Sequence, residues 1–77
     1  MSNHVPFMSK DIKEKFRVQL CISTSRRDTG TSKVEIISLE EGTGRTHTVL
    51  VSTEYDSIDV GRECYFSTLY ALNAVVS

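Results

Sequence analysis

Alternation of apolar and polar side chains is strongest over residues 16–23, where Phe16, Val18, Leu20 and Ile22 share one parity and Arg17, Gln19, Cys21 and Ser23 the other. A period of two sends successive side chains to opposite faces of an extended chain. The stretch therefore predicts a half-buried strand of about eight residues, with Arg17 and Gln19 toward solvent. Residues 33–39 predict a second strand, rich in β-branched side chains. Its parity breaks: Val34 and Ile36 fall on one face, Ile37 and Leu39 on the other, which implies burial on both faces or a bulge near Ile36 and Ile37. A central place in a sheet suits that pattern. Residues 46–53, THTVLVST, predict a third strand in which His47, Val49 and Val51 alternate with Thr46, Thr48 and Leu50. From Cys64 onward the chain is read in the same way, with Cys64, Phe66, Thr68 and Tyr70 on one side and Tyr65, Ser67 and Leu69 on the other. One long strand, or two short ones broken near Leu72 and Asn73, is expected there.

The intervening segments carry turn chemistry. STSRRDTGTSK predicts a hairpin loop of roughly eight residues, reversed by Asp28, Thr29 and Gly30, with hydroxyls satisfying loose backbone groups. EEGTGR predicts a tight reversal in which Gly42 and Gly44 supply positive φ. Residues 54–63 read as a crossing loop anchored by Ile58 and Val60. Residues 1–9 lack periodicity, contain Pro6 and read as a flexible arm. Residues 9–14 offer at most a single helical turn. Residues 10–77 are expected to form one small β domain.

No later segment shows helical periodicity beyond a turn, so the expected class is mostly β: a four- to five-stranded antiparallel sheet. With no long helix to cover it, such a sheet must curl over its own apolar face into a small, partly open barrel. The long first strand, the three-strand meander and the "DVG" entry to the closing segment give a layout that resembles the oligonucleotide/oligosaccharide-binding (OB) barrel over residues 15–77. An SH3-like barrel and a simple meander are the alternatives.

Length changes the picture by limiting it. Seventy-seven residues, 39% of them hydrophobic, allow one domain whose core must use nearly every large apolar side chain. Nothing approaches the roughly 18 consecutive apolar residues of a membrane span, and the N-terminal stretch lacks the apolar run of a secretory signal. A cytoplasmic location is expected.

Charge adds an asymmetry that the net value of −1 hides. Residues 1–33 hold seven basic and three acidic groups, whereas residues 34–77 hold two basic and seven acidic ones. A dipolar molecule can meet an anion on one side. Small β barrels bind single strands by laying aromatic side chains under bases and basic ones beside phosphates. The expected contacts for weak single-stranded nucleic-acid binding are Arg17, Arg26, Arg27, Lys33 and Arg45 for phosphate, with Tyr65 or Tyr70 stacking on a base. Arg26 and Arg27 are the only adjacent basic pair. The competing expectation is a protein-interaction module or small inhibitor, acting through an exposed strand edge or an apolar sheet face. Ile37, Leu39, Leu50 and Leu69 are more apolar surface than a small barrel interior holds, and they would line a homodimer interface or receive a partner strand.

Catalytic chemistry has little foothold. Asp56, Asp59 and Glu63 lie in a presumptive turn with nothing to fix a carboxylate pair, and His47 reads as a cross-strand packing residue. GTSK lacks the second glycine and the following helix of a phosphate loop. Cys21 and Cys64, with only His4 and His47 as co-ligands, have no metal-site spacing and read as reduced thiols. The expectation is a non-enzymatic chain with neither metal nor cofactor.

Overall fold

The computed structural model describes residues 4–26 and 29–76. Four strands, β1 (Val5–Ile12), β2 (Phe16–Arg26), β3 (Thr29–Leu39) and β4 (Thr46–Tyr55), precede one helix, α1 (Ile58–Val76). The strands form one antiparallel sheet in the order β1-β2-β3-β4, so β1 and β4 are its edges and it does not close into a barrel. The architecture is β-rich, with α1 laid across one face. That helix does the covering which the sequence assigned to curling.

Pairing defines the two faces, because residues directly opposite in an antiparallel pair point to the same side. Val18 faces Ile36, Leu20 faces Val34 and Ile22 faces Ser32, so the alternation predicted for β2 sets one apolar face. Met8, opposite Leu20, and Ile12, opposite Phe16, extend that face onto β1. Ile12, Val18, Leu20, Val34 and Tyr65 form the buried core, with Leu69, Leu72 and Val76 of the helix packed around it.

The parity break in β3 reflects burial on both faces, Val34 on one and Ile37 and Leu39 on the other, and the bulge opposite Ile36 and Ile37 falls on β4. Ile36 pairs with Val51 and Ile37 with Val49, leaving Leu50 as the surplus residue on β4, while β3 occupies the central position expected of it. The 40–45 reversal also matches its reading, with Gly42 at φ 94° and Gly44 at φ 73°.

Three segments differ from expectation. Residues 58–76, expected as loop and strand, are α1. Its inward stripe is Ile58, Gly61, Tyr65, Leu69, Leu72 and Val76, a spacing of three and four that places these residues on one helical face. Ser57 is the N-cap: its Oγ accepts the Val60 N–H at 3.4 Å, its carbonyl accepts the Gly61 N–H at 3.2 Å, and Asp59 adds negative charge in the first turn. Residues 5–9, expected in an unpatterned arm, belong to β1, and residues 9–14 end that strand and begin a hairpin turn. There Lys15 N–H donates to Ile12 O at 3.0 Å, with Lys13 and Glu14 both at φ 55°, the signature of a type I′ reversal. Finally, β2 runs to Arg26 and β3 begins at Thr29, so most of the residues read as a loop are strand. Arg27 and Asp28 lie outside the described residues.

Helix and sheet meet most closely at Gly61. A Cβ there would overlap Ser32 Oγ and come to 2.5 Å from Ser32 Cβ. Ser32, fully buried, donates its hydroxyl to the Ser57 carbonyl at 2.7 Å, tying the helix start to the middle of β3.

Candidate functional site

The turn that joins β1 to β2 meets the C-terminal half of α1 at a cleft of about 330 Å³. Lys10, Asp11, Ile12 and Lys13 line one wall, and Phe66, Leu69, Tyr70 and Asn73 the other. Each wall follows from local structure. Lys10 pairs with Val18 and so lies on the helix-bearing face of the edge strand, and the left-handed turn fixes the backbone of Lys13 beside it. Phe66, Tyr70 and Asn73 are spaced by four and three along the helix, on a stripe that flanks the buried one carrying Tyr65. Tyr70 is 82% exposed and Phe66 half exposed.

Electrostatics sharpen the contrast between the walls. Asp11, the acidic residue of the cleft wall, is engaged from the other face of the sheet: Arg17 donates Nε to Oδ1 at 2.6 Å and Nη2 to Oδ2 at 3.2 Å. This two-pronged contact holds the Asp11 carboxyl below its usual range and raises Arg17. Its charge is thereby spent. Lys10 and Lys13 have no carboxylate partner among the described residues. The cleft combines two ammonium groups, two aromatic faces and a side-chain amide.

The residues nominated from sequence are distributed differently. Arg17 is in its fork with Asp11, and Lys33 lies 3.8 Å from Glu35, both on the face away from the helix. Arg45 is exposed in the β3–β4 turn. The side chain of Arg26 and all of Arg27 lie outside the described residues. Tyr65 is 2% exposed, so no base can stack on it, and burial pushes its phenol up. Tyr70 alone of the nominated aromatics is open, and the cleft brings it together with Leu69. Ile37 and Leu39 are buried within the chain, whereas Leu50 stands 52% exposed on edge strand β4.

The sequence reading does not single out Lys10, Lys13 or Phe66: period two sets Phe66 beside Cys64 on one strand face, whereas the helix turns it outward.

The thiols are accounted for without chemistry. Burial first, and then the Glu35 carboxylate, raise Cys21, while Cys64 stands beside the Tyr55 hydroxyl and raises it through their hydrogen bond. Among the described residues no three His, Cys, Asp or Glu side chains gather as a metal site, and no helix is long and apolar enough to cross a membrane.

Comparison of the chain with protein-family models, curated proteins and solved structures finds no match. The cleft must be interpreted from its chemistry.

Proposed function

We propose that this chain is a small, non-enzymatic, cytoplasmic binding protein that takes single-stranded nucleic acid weakly in the cleft between the β1–β2 turn and α1. The reading rests on one observation, the convergence of Lys10 and Lys13 with Phe66 and Tyr70. Stacking needs an exposed aromatic plane, and phosphate needs unpaired cations within reach of it. Both requirements meet here. The basic first half remains the electrostatic source, but through Lys10 and Lys13 rather than through Arg17 and Lys33.

Anisotropy of a labelled single-stranded oligonucleotide, titrated at two salt concentrations, tests this. Tyr70→Ala is expected to weaken binding by about 5- to 150-fold, corresponding to roughly 1–3 kcal/mol per stacked base, whereas Tyr70→Phe keeps the ring and most of the affinity. Lys10→Ala with Lys13→Ala is expected to flatten the dependence of log K on log salt by about 1.4, two phosphate contacts at roughly 0.7 each. No binding at low salt, or affinity indifferent to Tyr70→Ala, overturns the reading.

A second reading, protein binding, draws support from β4. Residues 46–54 are exposed along the whole strand, and Val49, Leu50 and Val51 are each about half open. An exposed edge with an apolar centre is a template for another strand.

A further inference from the structure

We infer that the free edge of β4 pairs antiparallel with β4 of a second copy of this chain, about a two-fold axis through Leu50. The inference rests on the edge-strand reading above and is independent of the cleft, which lies beside the opposite edge strand, β1.

The sequence of β4 is symmetric about Leu50. Reading outward from that residue gives Val49 and Val51, then Thr48 and Ser52, then His47 and Thr53. In an antiparallel pair centred on Leu50, each valine meets a valine, Thr48 meets Ser52 of the second copy, and Leu50 meets itself. A two-fold interface demands this self-complementarity, because the same patch must serve both partners. Shifting the register by one sets Val49 against Ser52 and forfeits the match. Hydroxyl pairs such as Thr48 with Ser52 are favourable across strands, and no like charges meet in the centred register: Thr46 faces Glu54, and His47 faces Thr53.

The edge also lacks two of the usual blocks to pairing. β4 contains no lysine or proline, whereas β1 has Pro6 and Lys10. The bulge that leaves Leu50 unmatched to β3 falls on the proposed axis, so both copies bend there at the same point, while the second irregularity, at His47, lies toward the end of the paired segment. A strand whose every residue from 46 to 54 is exposed, with three consecutive half-open apolar side chains, gains a neighbour without displacing anything.

Light scattering coupled to size exclusion, run over a concentration series, is expected to give twice the chain mass of 8.6 kDa at the upper end. Leu50→Lys and Leu50→Glu, each placing like charges face to face at the axis, are expected to be monomeric alone and to restore the doubled mass when mixed. That rescue separates a lost interface from a lost fold. Leu50→Cys is expected to cross-link between chains under mild oxidant, because opposed residues of an antiparallel pair lie within disulfide reach, while Glu41→Cys and the unsubstituted chain are not. A monomeric native chain at all concentrations overturns the inference, as does a dimer unaffected by Leu50→Lys or a mixture that stays monomeric. Tyr70→Ala leaves the mass unchanged if pairing is through β4, and abolishes the dimer only if the partner sits on α1.

Discussion

Lys13 and Glu14 hold a reversal that normally belongs to asparagine and glycine. Each sits at φ 55°, where a side chain crowds its own backbone at a cost of roughly 1–2 kcal/mol. Glycine escapes that crowding but loses more chain entropy on folding, so Glu14→Gly is expected to stabilise the fold by a net value of about 1 kcal/mol in urea titrations. Lys13→Gly is expected to stabilise similarly while removing a cleft cation, so that stability and salt slope move in opposite senses. The neighbouring Asp11–Arg17 fork gives a pH signature. Asp11 titrates below its ordinary value of 3.8 in the folded chain, so its contribution is full above that value and disappears as pH falls through the lower folded pKa. Because both side chains are partly exposed, the effect is small, roughly 0.2–1 kcal/mol, and Asp11→Asn is expected to flatten acid unfolding curves by that amount.

At the scale of elements, the contact between α1 and β3 depends on one missing side chain. In an isolated helix Gly61→Ala would gain about 1 kcal/mol of helix propensity. Here the added methyl strikes Ser32, whose hydroxyl is already bonded to Ser57, and overpacking costs roughly 1–3 kcal/mol. The expected net result is a lower thermal midpoint, read by circular dichroism. The same helix shows why the fold was only partly legible. β2 and the glycine turn declared themselves because solvent washes one side of each, which leaves period two or positive φ visible in the residues. α1 concealed itself: Cys64, Tyr65, Phe66 and Thr68 are comfortable in strands, and a helix that exposes Phe66, Tyr70 and Val75 lacks a clean polar face. Ser57 and Asp59 were its legible signals, as cap and first-turn acid. β1 was hidden by Pro6 and by the surplus residue Phe7, which breaks its parity between the Pro6–Cys21 and Met8–Leu20 pairs. The cleft could not be read before the helix, since Phe66 and Tyr70 join the lysines only when residues 58–76 are wound and laid across the sheet.

For the whole molecule, the topology keeps the basic β1–β2 hairpin together and sends most of the acidic groups to the β3–β4 turn, β4 and α1. Much of that asymmetry is spent locally. Arg17 with Asp11 and Lys33 with Glu35 are neutralised across the uncovered face, leaving the β1–β2 turn with Lys10, Lys13 and Lys15 as its basic pole. Because that pole is small, ligand contact is expected to involve only a few charges. Nucleic-acid affinity should then fall gently with salt rather than collapse, a slope measurable in the same anisotropy titration.

The strand order also has a temporal meaning. Each strand lies beside its predecessor, so hairpins can zip in sequence. The helix follows the four strands and so emerges after them from a synthesis machine that delivers the N-terminus first. Until it arrives, Val18, Leu20 and Val34 form an open apolar sheet face, and the nascent chain is at its most adhesive in that interval. Stalled chains that end before Ile58 are therefore expected to recruit chaperone or aggregate, and chains that include α1 to do neither.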